Sequence, residues 1–164
     1  WELLMLIEAD KRNPKWWINL TYSKENDDDF YIPDNLYIIW TMNTADKSLT
    51  MIDYALRRRF AFISLDPKFS TDEFKNYMSS RIDEDMVDKI VDAYTELNNF
   101  MEKNLWKDFQ IWHSYFIPQG LDIENYWAIY KDIVEYEIKP LLEEYFYDEP
   151  NKVKEALDII NIDL

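Results

Sequence analysis

The 164-residue sequence contains no cysteine, one histidine and one glycine, and each shortage excludes a class of protein. The absence of cysteine excludes a disulfide framework, a thiolate metal site and a cysteine nucleophile. With one histidine, a zinc site built only from protein ligands is not expected. The longest largely apolar run, residues 36–42, is far too short to cross a bilayer, and residues 1–4 lack the basic region of a signal peptide. We therefore expect a soluble, cytoplasmic protein.

Basic residues are also few, with 18 lysines and arginines against 33 aspartates and glutamates, so the formal net charge is −15. Such a charge repels polyanions, and we expect any contact with DNA to be made by another domain or subunit. The excess of acid also keeps an aromatic-rich chain soluble. Because 48% of the residues are hydrophobic and 17% are aromatic, the chain should fold rather than remain disordered.

Before Pro67 the apolar pattern predicts an α/β arrangement. Residues 36–41 and 60–65 are almost continuously apolar, as in strands buried on both faces of a sheet. A short helix is predicted between them, at residues 51–58. Ahead of them the pattern predicts the end of a buried helix at 2–9, then a β-hairpin with strands at 18–22 and 30–32 and an acidic loop at 25–29.

After Pro67 the strand pattern does not return, and apolar residues recur at the three- and four-residue spacing of helices. Helices are predicted at residues 72–80, 85–103, 124–146 and 151–160. Pro140 is expected to kink or restart the third of these. The predicted fold class is therefore α/β plus all-α, with the α/β part at residues 1–67 and a helical domain at 68–164.

A polar segment, residues 41–48, follows the first predicted buried strand. In open α/β sheets ligands bind beyond the carboxyl ends of the strands. Asn43 carries a neutral amide suited to orienting a water beside a phosphate, and Asp46 can hold that amide or a cationic partner in position. A turn held by local hydrogen bonds is the simpler explanation of the same residues.

Three consecutive arginines end the predicted helix at 51–58. Arg57 lies four residues after Asp53, which can neutralise it on the helix surface. For Arg58 and Arg59 the helix offers no acidic residue at that spacing. Either their charge complements the dipole at the helix end, or one of them reaches a phosphate in a neighbouring subunit.

The segments at residues 42–48 (Met-Asn-Thr-Ala-Asp-Lys-Ser) and 52–60 (Ile-Asp-Tyr-Ala-Leu-Arg-Arg-Arg-Phe) together resemble the signature of the McrB family. That family belongs to the dynein-related and MoxR-like branch of the AAA+ superfamily. The similarity continues, in the family's order, through residues 109–116 and 140–146. It therefore covers nearly the whole chain, and it implies the C-terminal part of an AAA+ α/β subdomain followed by a helical lid subdomain.

The resemblance implies a role for each matching position. Asn43 corresponds to the sensor asparagine near the γ-phosphate, with Asp46 in the same catalytic network. Arg59, with Arg58 as the alternative, corresponds to the arginine finger that acts on the next protomer. His113 lies near the place where many AAA+ lids present their second sensor, although a histidine held between core and solvent explains it equally well.

The family implies a homo-oligomeric, hexameric ring that hydrolyses GTP with Mg²⁺ and works with an McrC-like nuclease subunit on modified DNA. An ATP-using MoxR-like chaperone and a non-catalytic module that joins or blocks a ring remain alternatives. The 164 residues contain neither a Gly-x-x-x-x-Gly-Lys-Ser/Thr loop nor an apolar strand ending in Asp-Glu. These elements cradle the phosphates and hold Mg²⁺, so we expect a fragment that does not bind or hydrolyse nucleotide well alone.

The scarcity of glycine coincides with an abundance of tryptophan. Average usage predicts about eleven glycines in a chain of this length, yet there is one, beside seven tryptophans. In the family pattern glycine is expected at Trp1, Trp40, Trp106 and Trp112, and Trp17 is a further candidate. A gene in which UGA encodes glycine, translated with UGA read as tryptophan, would explain both numbers.

Overall fold

The computed structural model describes residues 2–20, 30–43, 54–117 and 125–162. Within it the chain divides into two compact units, Trp1–Ser64 and Leu65–Leu164. The described residues of the first unit include two short α-helices, α1 (Glu2–Leu6) and α2 (Tyr54–Arg57), and two 3-10 turns, Ala9–Lys11 and Pro14–Trp16. No helix in the described ranges is both long and apolar enough to cross a membrane.

The predicted β-hairpin is represented, in the described part of the chain, by one antiparallel bridge between Ile18 and Phe30. The amide nitrogen of Ile18 lies 2.8 Å from the carbonyl oxygen of Phe30, and the reciprocal distance is 3.1 Å. The predicted acidic loop at residues 25–29 lies outside the described residues. Helix α2 falls within the helix predicted at 51–58, whose first three residues also lie outside them.

The two predicted buried strands are not present in the described structure. Residues 36–41 and 60–65 form no ladder there, and several of their side chains face solvent: Ile39 is 90% exposed, Tyr37 86% and Ile63 83%. The two segments do meet, since the rings of Trp40 and Phe60 stack with centroids 4.7 Å apart. A doubly buried strand needs a paired neighbour and a covering layer on each face, and the described part of this unit supplies neither. The two strands are therefore not shown by this structure and remain a prediction.

The second unit is helical, as the spacing of its apolar residues predicts. Its helices are α3 (Asp72–Ser79), α4 (Glu84–Asn104), α5 (Tyr126–Ile133), α6 (Lys139–Tyr145) and α7 (Pro150–Ile159), with 3-10 turns at Lys107–Phe109 and His113–Phe116. Local side chains begin several of these helices. The Thr71 hydroxyl accepts from the Phe74 amide, and the Asp83 carboxylate accepts from the Asp85 and Met86 amides, which satisfies N–H groups that a helix start leaves without partners.

Pro140 does not interrupt the third predicted helix. Between α5 and α6 the chain passes through a π-helical segment, Val134–Ile138, and Pro140 occupies the first turn of α6. Proline has no N–H, and its ring would clash with the carbonyl four residues earlier in a regular α-helix. The wider π turn directly before the proline is a way to avoid that clash without leaving the helix.

Helix α4 is central to the second unit and packs against both α3 and α7. Its buried face carries nine side chains, from Met86 to Met101. An aromatic cluster joins it to the neighbouring segments: the Tyr94 ring lies 5.3 Å from Phe69, 4.2 Å from Phe116 and 6.4 Å from Tyr130. Full burial of such side chains contributes about 1.5–3 kcal/mol each, so this cluster is a main source of stability.

Candidate functional site

The predicted site residues lie in both units. Asn43 is exposed and belongs to the first unit, as do Arg58 and Arg59. Asp46 lies outside the described residues, and so does Asp53, the expected partner of Arg57. In the structure the Arg57 guanidinium lies over the Phe62 ring, 5.4 Å from its centroid. His113 belongs to the second unit.

Arg59 is held by a residue that sequence reasoning did not identify. One guanidinium nitrogen, Nη2, forms an ion pair with Oε1 of Glu8, 51 residues earlier. Glu8 binds Lys11 through its other oxygen, so two cations share one carboxylate. The hydrogen bond from Lys11, together with the charges of Arg59 and Lys11, lowers the pKa of Glu8 and keeps it ionised. No spacing rule relates Glu8 to Arg59, because the pair depends on tertiary structure.

The end of α2 positions Arg58 and Arg59 differently. The amides of Arg59 and Phe60 both donate to the Leu56 carbonyl, at 3.0 and 3.1 Å, and this closes the last turn. Arg59 is then half-buried beside Glu8, whereas Arg58 is exposed. The two arginines therefore differ in how readily they can bind an external anion. Arg58 can meet an external anion at once, and Arg59 must first exchange Glu8 for it.

His113 lies between the beginning of the second unit and α3. Its Nδ1 accepts a hydrogen bond from the backbone amide of Lys68, with 3.1 Å between the nitrogens. The imidazole ring meets the edges of Phe69 and Phe74, with centroids 6.2 and 5.6 Å away. Burial, together with the positive charge of Lys68, lowers the pKa of His113. The ring is therefore neutral at pH 7, and its proton is on Nε2 because Nδ1 is the acceptor.

An open groove lies beside this histidine, with a volume of about 580 Å³. Its lining includes the rings of Phe74, Tyr77 and His113, and the polar side chains of Lys68 and Thr71. The Arg81 guanidinium covers the Tyr77 ring at 3.6 Å. In the part of the chain that the structure describes, no group of three His, Cys, Asp or Glu side chains is arranged to hold a metal ion.

Comparison with known proteins identifies the class of the helical unit. Residues 89–154 match the family described as "McrB, alpha-helical lid domain". This range begins within α4 and ends within α7, and it contains both His113 and the π-helical segment. The second unit therefore contains a helical lid domain of the McrB kind.

The similarity extends beyond the lid. The chain is 44% identical over 158 residues to the "Type IV methyl-directed restriction enzyme EcoKMcrB subunit" of Escherichia coli (strain K12). That alignment covers 92% of this chain and 34% of the relative, so the chain spans about a third of the relative's length. The chain is an McrB-type sequence and corresponds to a fragment of a protein of that type.

Proposed function

We propose that this chain is part of the nucleotide-hydrolysing AAA+ motor of an McrBC-like restriction system that acts on modified DNA. The observation that carries the proposal is the 44% identity, over 92% of the chain, to a subunit of a methyl-directed restriction enzyme. In the complete protein the substrate is GTP with Mg²⁺, and ATP is the alternative. The protomers form a ring in the cytoplasm, and an McrC-like nuclease is its partner. The net charge of −15 leaves contact with DNA to another part of the assembly.

The exposed apolar segments of the first unit support an AAA+ α/β core. Ile39, Tyr37 and Ile63 are more than four-fifths exposed, which is unfavourable for side chains of this size at about 25 cal/mol per Å² of apolar surface. Strands with this composition are buried on both faces when their sheet is complete. We propose that in the complete protein residues 36–41 and 60–65 are strands, covered by parts of the core that the 164 residues do not include.

Within that core Asn43 is proposed as the sensor that orients the attacking water, with Asp46 supporting it. Asn43 is exposed and lies two residues beyond the apolar segment 36–41, and α/β sheets bind ligands just beyond the carboxyl ends of such strands. Arg59 is proposed as the arginine finger of the neighbouring protomer. Its ion pair with Glu8 holds the guanidinium until a phosphate, which offers more negative charge and a bidentate contact, replaces the carboxylate.

Complementation between two inactive variants tests the trans role of Arg59. In the complete protein Arg59→Ala and Asn43→Ala should each lower GTP hydrolysis by about 10³-fold or more, since an arginine finger contributes about 10³ to 10⁵ in rate. Binding of a fluorescent GTP analogue should be largely retained in both variants. Mixed rings contain some interfaces with Asn43 intact on one side and Arg59 intact on the other, so part of the activity should return.

Two results would contradict this assignment. If mixed rings assemble and remain as inactive as each variant alone, Arg59 does not act across the interface. If Arg58→Ala is inactive while Arg59→Ala is active, the exposed arginine is the finger and Arg59 is a structural partner of Glu8. The 164-residue chain, which lacks the phosphate-binding loop, should show no turnover of GTP or ATP above background. Turnover would contradict the proposal that the nucleotide is held by elements outside these 164 residues.

A further inference from the structure

The chain enters the second unit through residues 66–70, which we call the lead-in segment; it directly precedes the Thr71 cap of α3. Four polar contacts fix it. Asp66 pairs with Lys107 at 3.0 Å. The Lys68 amide donates to His113 at 3.1 Å. The Lys68 carbonyl accepts from both the amide and the hydroxyl of Thr71, at 3.3 and 3.0 Å. Both backbone polar groups of Lys68 are thus satisfied by residues of the second unit.

The lead-in segment is also anchored by an aromatic side chain. Phe69 is 3% exposed. Its ring stacks on Tyr94 of α4 at 5.3 Å and meets the edge of Phe74 at 5.5 Å. The His113 imidazole packs against both phenylalanines while its Nδ1 binds the adjacent amide. The His113 side chain therefore links the lead-in segment and α3 to its own 3-10 turn, His113–Phe116.

This geometry limits what His113 can offer to a ligand. A neutral imidazole has one acceptor nitrogen and one N–H donor, and the acceptor is used by Lys68. A direct contact with a phosphate would have to come from the uncharged Nε2–H. Moving the ring toward a ligand would break the Lys68 hydrogen bond and disturb the packing of Phe69 and Phe74.

We infer that His113 is a positioning residue: through Nδ1 it fixes the lead-in segment by which the chain enters the lid, and it does not contact the nucleotide. The effect on hydrolysis rests on the proposed function. The effect on the lead-in segment does not, and the two can be tested separately.

Two substitutions separate the ring nitrogens. In His113→Asn the amide oxygen Oδ1 can occupy roughly the place of Nδ1 and accept from Lys68. In His113→Gln the polar end of the side chain reaches roughly the place of Nε2. We expect hydrogen exchange of the Lys68 amide in the 164-residue chain to stay slow in His113→Asn. In His113→Gln it should become about fivefold to tenfold faster, the factor expected for loss of one ordinary hydrogen bond. The Ile111 amide, held by Asn98, is the internal control. Equal exchange at Lys68 in the two variants would overturn the inference.

The complete protein provides the functional arm. If His113 is a positioning residue, His113→Asn retains kcat and KM for GTP, whereas His113→Gln lowers kcat. If His113 contacts the nucleotide through Nε2, the order reverses: Gln retains activity, Asn loses it, and the inference is overturned. Absence of hydrolysis in the complete wild-type protein would contradict the proposed function, and the exchange experiment would then decide the role of His113 alone.

Discussion

Asn98 is a buried polar side chain in the core of the second unit, and its removal should destabilise that unit strongly. It lies on α4 and is 7% exposed. Its Nδ2 donates to the Ile111 carbonyl at 3.0 Å, and its Oδ1 accepts from the Ile111 amide at 2.6 Å. One amide side chain thus satisfies both backbone polar groups of a residue that is itself 1% exposed. It thereby fixes the segment that leads to His113.

The magnitude follows from what Asn98→Ala leaves behind. Two buried backbone groups lose their partners, and an unsatisfied buried polar group costs about 1–3 kcal/mol. The free energy of unfolding should fall by roughly 2–4 kcal/mol, because a water molecule that enters the vacated space can satisfy part of what is lost. With a urea m-value of about 2 kcal/mol per M, the midpoint of unfolding falls by roughly 1–2 M.

Asn99 offers a matched control, since it is the next residue on α4 and is exposed. Asn99→Ala makes the same chemical change in the same helix, and alanine has the higher helix propensity by about half a kcal/mol. Urea unfolding followed by circular dichroism should therefore show Asn99→Ala equal to or slightly more stable than the wild type. If both variants unfold within about 0.5 kcal/mol of each other, the Asn98 hydrogen bonds add nothing and this reasoning is wrong.

Two further predictions concern buried or half-buried titratable groups of the lid. The Tyr130 hydroxyl donates to the Ile160 carbonyl at 2.8 Å, and burial raises the pKa of Tyr130 to about 12. Tyr130→Phe should lower the free energy of unfolding in urea by about 1–2 kcal/mol. An unchanged urea midpoint would contradict this prediction. His113 has a lowered pKa in the folded chain, so the unfolded state takes up its proton first as the pH falls below about 6.5. The stability that His113 contributes is complete above that pH and is lost as the pH falls through the folded pKa. Burial of the ring and the positive charge of Lys68 both oppose protonation of His113. The decrease in the free energy of unfolding between pH 7.5 and 5.5 should be smaller in His113→Asn than in the wild type. An equal decrease in both proteins would contradict a contribution from His113.

The helices of the lid could be predicted because their determinants are local. The helix predicted at residues 85–103 is α4 (Glu84–Asn104), and that at 151–160 is α7 (Pro150–Ile159). Apolar spacing defines the buried face of each helix, and the Asp83 cap marks where α4 begins. The π-helical segment could not be predicted in the same way. Pro140 indicates that the regular α-helix is altered near this position, but a kink, a break and a wider turn are all compatible with a proline there.

The strands and the polar pairs depend on distant parts of a protein, and this is where prediction from sequence was weakest. A continuously apolar segment indicates a preference for burial, but it cannot supply the neighbours that bury it, so residues 36–41 are largely exposed in the described structure. Glu8 and Arg59 are 51 residues apart, and Asn98 and Ile111 are 13 apart. Neither pair has a spacing typical of a helix or a hairpin. The roles proposed for Asn43, Asp46 and Arg59 came from the resemblance to a family and not from such geometry.

The positions of the tryptophans give a physical reason to examine their codons. Trp106 lies one residue beyond the C-cap of α4, where glycine is favoured because many helices end in a left-handed residue. Here its φ is −144° and its indole is 74% exposed. Trp40 is 58% exposed, and Trp17 49%. Trp1 lies outside the described residues. Trp127 differs, because its ring stacks on Tyr130 at 5.3 Å with an interplanar angle of 8°.

If UGA encodes glycine in this gene, the codons at positions 1, 40, 106 and 112 are TGA and the codon at position 127 is TGG. TGG at the first four positions would refute the hypothesis. The protein offers a second test that needs no gene. Trp106→Gly removes an indole that is 74% exposed from a residue whose φ of −144° any residue can adopt, so the free energy of unfolding should change by no more than about 1 kcal/mol. Trp127→Gly should lower it by about 3–5 kcal/mol, because it removes a stacked, partly buried aromatic ring and places glycine inside α5. If Trp106→Gly is instead as destabilising as Trp127→Gly, the indole at position 106 stabilises the fold and tryptophan is the native residue there.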